Sequence, residues 1–202
     1  LDASDSGEAP RKFLKKRTDI FESRDMKKVI GVCSAAQEDI GLGIVVAKSG
    51  FGKTYALKYY AKMPRVAYVE CDDTMSSRDL VEAIERALGI PSSYGTIWKR
   101  VNGIREFCNV NKGYLIIIDE ADHLSLDALQ AVRNLNDLAG VGIVLSGNDK
   151  IYRQMKAGRR SYEFDQLRTR IVIRKKIYND YKIEEMEAMF PGLSESCIGY
   201  PV

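Results

Sequence analysis

The stretch from residue 47 to residue 54 combines glycine, lysine and threonine in an order that could bind phosphate. It reads AKSGFGKT, follows a short apolar run and precedes a segment of helical periodicity. In the motif G-x-x-x-x-G-K-[ST], the glycines let backbone N–H groups curl around phosphates, and the helix N-terminus adds its positive end. We therefore predict that Lys53 reaches the β- and γ-phosphates of a bound nucleotide and that Thr54 offers its hydroxyl to Mg²⁺. The residues predicted to bind the nucleotide are Ser49, Gly50, Phe51, Gly52, Lys53, Thr54 and Tyr55.

The loop departs from this motif at its first position, where Ala47 replaces glycine. Alanine restricts the backbone, but Gly50 and Gly52 remain, so we expect nucleotide binding to survive. The alternative interpretation is a glycine-containing strand-to-helix turn that binds no ligand. The strand-loop-helix setting of the Gly-Lys-Thr triplet favours the phosphate site.

A second group of chemically active residues follows the apolar run 114–118, which ends in Asp119 and Glu120. Ligands of open α/β sheets bind at the carboxyl ends of the strands. We predict that Asp119 holds Mg²⁺ and that Glu120 polarises the water that attacks the γ-phosphate. The alternative is an acid pair that caps the next helix. His123, the only histidine, is predicted to be a capping or packing residue rather than a proton shuttle.

Two further positions complete the predicted site. Asn148 follows the apolar run 142–146 and could orient the attacking water or contact the γ-phosphate, although Gly-Asn is also ordinary turn chemistry. Arg168 and Arg170 precede the last predicted strand, and one of them could act as an arginine finger on a neighbouring subunit's nucleotide. A solvated surface arginine is the alternative for at least one of the pair.

Short aliphatic runs alternate with longer helical segments, which predicts an α/β fold with a parallel sheet flanked by helices. The predicted strands are 42–47, 66–71, 114–118, 142–146 and 171–173. The predicted helices are 24–37, 53–62, 77–88, 96–110, 125–138, 149–157 and 183–190. Ser77 and Ser125 are predicted N-caps, and Trp98 is predicted to lie in the core. We divide the chain into a basic extension or linker (1–23), a nucleotide-binding α/β domain (24–176) and the start of an incomplete helical lid (177–202).

Composition excludes several classes of protein. The chain has 202 residues, 45% of them hydrophobic and 29% charged, which is typical of a globular protein and not of a disordered, collagen-like or membrane protein. Four scattered cysteines and a single histidine indicate neither a zinc site nor a disulfide framework, and favour a cytoplasmic setting. Because the sequence begins with Leu1, we expect further chain at both ends.

Charge is distributed unevenly along the sequence. The net charge is +3, yet residues 150–176 contain ten Lys or Arg against two acids, and residues 11–17 contain five positive charges. Such basic stretches could contact nucleic-acid phosphates, although most charge runs are simply solvated faces.

With these residues in view, the chain resembles AAA+ ATPases, and more narrowly the transposition ATPases of the phage Mu B type. The resemblance covers about residues 21–183. Its specific part comprises residues 118–125, 128–129, 132–137, 146–148, 158–160 and 166–171. It implies a five-stranded parallel sheet and a P-loop NTPase fold of AAA+ type. It also implies a Walker A motif at Lys53 and Thr54, a Walker B motif at Asp119 and Glu120, and sensor 1 at Asn148. Arg168 or Arg170 would be the finger supplied across a subunit interface.

The same resemblance implies partners. Members of this type form ATP-dependent helical filaments or rings on duplex DNA without strong sequence preference, select the insertion target and stimulate a transposase. The residues then expected to contact DNA are Thr74, Arg78, Tyr94, Lys99, Arg100 and Arg105. No arginine follows Arg174, so a lid arginine (sensor 2) is missing from this sequence. The alternative function is an ATPase of a secretion or signalling system with a protein partner. A small-molecule kinase is disfavoured because Asp119 and Glu120 form a hydrolytic pair.

Overall fold

The computed structural model describes residues 22–91, 95–151, 171–178 and 183–189. Its helices are α1 (Arg24–Glu38), α2 (Lys53–Tyr60), α3 (Ser77–Ala87), α4 (Ile97–Val110), α5 (Leu126–Ala139) and α6 (Ile183–Met189). Its strands are β1 (Leu42–Val46), β2 (Val66–Glu70), β3 (Leu115–Asp119), β4 (Gly142–Gly147) and β5 (Ile171–Lys176). A single 3-10 turn at Ala121–His123 follows β3.

The five strands form one parallel sheet in the order β2-β3-β4-β1-β5, which confirms the predicted fold class. Strands β1, β3 and β4 are fully buried and carry continuous apolar runs, as expected for parallel strands covered on both faces. Because these three strands are neighbours, the residues that follow Val46, Asp119 and Gly147 meet at one edge of the sheet.

Two apolar clusters cover the sheet. One includes residues of α3, α4 and α5, among them Leu80, Ile104 and Leu135. The other includes residues of α1 and α2, among them Val32 and Leu57. The P-loop helix α2 is therefore held against the sheet by buried side chains, which fixes where the preceding loop can lie.

Helix boundaries agree with the sequence predictions to within a few residues, with one correction at a cap. Ser76, not Ser77, is the N-cap of α3, and it forms a capping box with Asp79. Ser125 caps α5 as predicted, accepting a hydrogen bond from Ala128 N. Of the predicted helix 149–157, Lys150 and Ile151 are helical and the remainder lies outside the described residues.

Trp98 was expected in the core, and this expectation is wrong. Its side chain is 72% exposed in the first turn of α4. The buried face of that helix consists of Arg100, Val101, Ile104 and Cys108. Within the described ranges, none of the helices is long and apolar enough to cross a bilayer.

Candidate nucleotide site

The loop between β1 and α2 has the open glycine conformation that a phosphate-binding loop requires. Gly50 and Gly52 have φ of 83° and 75°, in the left-handed region that favours glycine. A Cβ built at either position would meet nothing within 4 Å, so open space lies beside both residues. The first backbone hydrogen bond of α2 runs from Ala56 N to Gly52 O. The N–H groups of the preceding turn therefore have no intrahelical acceptor and remain able to bind an anion.

Lys53 is the first residue of α2 and is buried, with 4% of its surface exposed. Its Nζ donates a hydrogen bond to the carbonyl oxygen of Ala47 at 3.3 Å. An ammonium group has three donors, so Lys53 keeps capacity for a phosphate oxygen. The Ala47 side chain belongs to the cluster formed with α1 and α2. Its methyl group therefore occupies space in the core, which explains how the loop accommodates alanine at the usual glycine position.

Asp119 joins the P-loop to the end of β3. It is fully buried, and its Oδ2 accepts hydrogen bonds from Thr54 Oγ1 at 2.7 Å and from the Tyr68 hydroxyl at 3.0 Å. Its Oδ1 accepts a hydrogen bond from the backbone N–H of Glu120 at 3.0 Å. A carboxylate beside a threonine hydroxyl is an oxygen donor set that suits Mg²⁺. Thr54 and Asp119, the two residues predicted to hold the metal, thus lie in direct contact.

Glu120 adopts a left-handed backbone conformation, with φ of 53°. It precedes the 3-10 turn, but its side chain makes no capping hydrogen bond there. The capping alternative for this residue therefore has no support in the geometry. Burial raises the pKa of the Glu120 carboxyl, while the positive charge of Lys53 opposes that rise. A raised pKa improves a carboxylate as a proton acceptor near neutral pH.

Asn148 is held in place by a residue to which the sequence assigned no role. Its backbone N–H donates to Asp122 Oδ1 at 3.1 Å, and its Nδ2 donates to Asp122 Oδ2 at 2.5 Å. Asn148 Oδ1 accepts from the backbone N–H of Lys150 at 2.8 Å. Asp122 is 1% exposed and lies in the turn after β3. The carboxylate of Asp122 thereby ties the end of β4 to the segment that carries Glu120.

His123 takes part in a contact that the capping or packing prediction did not foresee. Its Nδ1 lies 2.5 Å from Asp73 Oδ1, in the loop after β2. The hydrogen bond to Asp73 raises the pKa of His123. Ligand atoms of Glu120, Asp122 and His123 lie within 4.8 Å of one another. We assign no metal to them, because grouped acidic side chains are common without an ion and nothing else in the described residues points to one here.

Arg100, one of the residues expected to contact DNA, is inside the protein. It is 5% exposed, and its guanidinium pairs with Glu85 at 2.5 Å and with Glu82 at 2.9 Å. This placement removes Arg100 from the candidate DNA surface. The pair instead connects α4 to α3.

The other DNA candidates differ in how far they are exposed. Thr74 and Lys99 are exposed, Arg105 is partly buried, and Arg78 is exposed but paired with Glu82 at 3.1 Å. Tyr94, Arg168 and Arg170 lie outside the described residues. The DNA and finger assignments therefore stay predictions.

A family model described as an AAA domain matches residues 36–155. The chain is 34% identical over 161 residues to the Mu-like prophage FluMu DNA transposition protein B of Haemophilus influenzae, covering 75% of this chain and 53% of that protein. It is 28% identical over 166 residues to the ATP-dependent target DNA activator B of Escherichia phage Mu, covering 81% of this chain and 53% of that protein. The chain thus spans about half the length of the curated relatives it matches.

Among solved structures, the fold is similar to that of a Walker-type ATPase of Pyrococcus abyssi. The TM-score is 0.59 at 12% sequence identity, and the match covers 84% of this chain and 57% of that chain. At this identity the likeness concerns the fold alone.

Proposed function

We propose that this chain, which belongs to the AAA domain family, is an ATPase whose nucleotide state controls its binding to duplex DNA in transposition. The single observation that carries the ATPase part is the 2.7 Å hydrogen bond from Thr54 Oγ1 to Asp119 Oδ2. It joins the two motifs that a metal-bound triphosphate needs, because one binds phosphate and the other supplies the acidic ligand. The DNA part is supported by the names of the relatives, a DNA transposition protein and an ATP-dependent target DNA activator.

The P-loop residues bind and orient the triphosphate in this proposal. The N–H groups of residues 50–55 surround the phosphates, and Lys53 turns from Ala47 O toward the β- and γ-phosphates. Thr54 and Asp119 hold Mg²⁺. The metal, when bound, neutralises charge that develops on the phosphate oxygens. Thr54 and Asp119 are held by α2 and by the sheet, so the main reorganisation on binding is the turn of the Lys53 ammonium group.

The residues at the ends of β3 and β4 act on the attacking water. Glu120 accepts a proton from the water, and the amide of Asn148 orients the water or contacts the γ-phosphate. Arg168 or Arg170 of a neighbouring subunit completes the charge stabilisation. Because that arginine comes from another copy, we expect turnover per subunit to rise with protein concentration and with duplex DNA.

The DNA partner, the transposase partner and the helical or ring assembly are further parts of the proposal. DNA binding by such an assembly is expected to act through the backbone phosphates, without strong sequence preference. The basic stretches at residues 11–17 and 150–176 supply positive charge for such contacts.

The first experiment measures ATP binding and hydrolysis by wild type and Lys53→Ala. Loss of a buried charge-assisted interaction is worth about 1.5–3 kcal/mol, so ATP affinity should fall about tenfold to a hundredfold or more. Lys62→Ala is the matched control because Lys62 is exposed just beyond α2. Unchanged ATP affinity in Lys53→Ala would show that the site is wrongly assigned.

The second experiment separates a DNA partner from a protein partner. Duplex DNA binding is titrated against salt with ATP, with ADP and without nucleotide. Phosphate contacts predict tight binding at low salt that weakens steeply as salt rises, and we expect this only with ATP. Weak binding at low salt in the presence of ATP would instead favour an ATPase of a secretion or signalling system.

A further inference from the structure

Tyr68 reaches the metal-binding end of the P-loop from the edge of the sheet. It lies on β2, where it pairs in register with Ile117, two residues before Asp119 on β3. Its hydroxyl lies 3.0 Å from Asp119 Oδ2, the same oxygen that accepts from Thr54. Tyr68 lies outside the G-x-x-x-x-G-K-[ST] motif, and no role was assigned to it from the sequence.

The direction of this hydrogen bond follows from the acceptor. An ionised carboxylate only accepts hydrogen bonds, so the phenol must donate. Asp119 then has three donors in all, from Thr54, Tyr68 and the Glu120 backbone.

Neighbouring groups also hold the ring of Tyr68. Lys58 Nζ, on α2, lies 5.5 Å from the ring centroid and 2.8 Å from Glu70 Oε2. The Tyr68 hydroxyl is itself 3.5 Å from Glu70 Oε2. A cation over the ring face and a carboxylate beside the hydroxyl restrict the orientations that the phenol can adopt.

We propose that Tyr68 is a positioning residue for the magnesium site: its hydroxyl fixes the Asp119 carboxylate so that Thr54 and Asp119 face one metal ion together. The inference rests on the proposed function of the P-loop. Hydrogen bonds that orient a ligating carboxylate commonly change metal affinity or activity by about 10- to 100-fold when removed. A tyrosine with a purely structural role would change stability and leave the magnesium response unaltered.

The test compares Tyr68→Phe with wild type by titrating a fluorescent ATP analogue in EDTA and at increasing Mg²⁺. Affinity in EDTA should stay within about twofold of wild type, because the backbone loop and Lys53 bind the phosphates without the metal. The Mg²⁺ concentration that gives half of the affinity gain should rise about tenfold. Tyr114→Phe is the matched control, since Tyr114 is partly buried immediately before β3, at the end of the strand opposite Asp119.

A second pair of variants asks whether Tyr68 acts through Asp119. Adding Tyr68→Phe to Asp119→Asn should leave the magnesium response of Asp119→Asn unchanged, because the group that Tyr68 positions is already altered. Additive effects, or an unchanged half-effect concentration in Tyr68→Phe alone, would overturn the inference while leaving the proposed function intact. A wild type that binds no nucleotide in either condition would instead refute the proposed function.

Discussion

Replacing Gly147 by alanine should detach Asn148 from Asp122. A Cβ at position 147 would lie 2.2 Å from Asp122 Oδ1 and 2.8 Å from Ile151 Cδ1, both closer than real atoms approach. Gly147 does not have a left-handed φ, so the whole effect is steric. The Asp122 carboxylate must then move away from the end of β4, and its hydrogen bonds to Asn148 are lost.

The structure sets the size of this effect. Overpacking a buried position costs about 1–3 kcal/mol. Losing the two hydrogen bonds from Asn148 to a charged acceptor costs at least a further 1.5–3 kcal/mol, approximately. We expect the free energy of unfolding of Gly147→Ala to fall by about 3–5 kcal/mol, a large part of the ~5–15 kcal/mol typical of a domain.

Urea denaturation followed by circular dichroism measures this loss, and ATP turnover of the folded fraction reports on Asn148. Gly31→Ala is one control, because nothing lies within 4 Å of its added Cβ in α1 and alanine should stabilise the helix by about 0.5–1 kcal/mol. Gly142→Ala is the other, since its Cβ would lie 2.2 Å from Ala36 O and should lower stability at the opposite end of β4. A Gly147→Ala protein within about 0.5 kcal/mol of wild type, with normal turnover, would refute the steric argument.

Three further variants test other parts of the site and the core. Glu120→Gln should bind ATP as tightly as wild type, but its turnover rate should fall about 100-fold or more because the proton acceptor is removed. The variant should also accumulate on duplex DNA. Undiminished turnover would exclude Glu120 as the base. Arg100→Ala removes the guanidinium that lies 2.5 Å from Glu85, whose side chain is 1% exposed. The free energy of unfolding, measured by urea denaturation, should therefore fall by about 3–5 kcal/mol. A loss below about 1 kcal/mol, the size typical of an exposed ion pair, would contradict the buried pair. His123 has its pKa raised from 6.5 by Asp73, so its stabilising contribution is complete below 6.5 and disappears as pH rises through the raised value. The melting temperature of His123→Gln should therefore fall below that of wild type at about pH 5.5 and match it at about pH 9, and a pH-independent difference would argue against the ion pair.

The strands were predictable because the sheet is parallel and covered on both faces. Strands β1, β3 and β4 are buried at every residue, so each of them carries a run of apolar residues. The polar residues beside each run show where the strand begins and ends. The N-cap of α3 could also be predicted, because Ser76 and Asp79 have the spacing of a capping box. The exposure of Trp98 could not be predicted, because helical periodicity does not say how far the neighbouring elements cover the first turn of α4.

The residues of the site likewise divide into those that the sequence predicts and those that it does not. Lys53, Thr54 and Asp119 were predictable because the P-loop and the acid after a buried strand have fixed positions in the chain. Tyr68 and Asp122 act through contacts across strands, and such contacts leave no local spacing in the sequence. The burial of Arg100 depends likewise on its partner Glu85, fifteen residues earlier in the chain, and charge alone suggested an exposed residue.

Two buried carboxylates, Asp119 and Asp122, are satisfied by different kinds of donor, and this difference bears on how a bound nucleotide would be sensed. The donors to Asp119 include the hydroxyls of Thr54 and Tyr68, and a hydroxyl oxygen can coordinate a cation while its proton still donates. The donors to Asp122 include two N–H groups of Asn148, and an amide nitrogen that donates in this way does not coordinate a cation. A bound metal ion would therefore act on the Asp119 side, toward Tyr68 and the edge strand β2, whereas the hydrogen bonds between Asp122 and Asn148 keep the ends of β3 and β4 together.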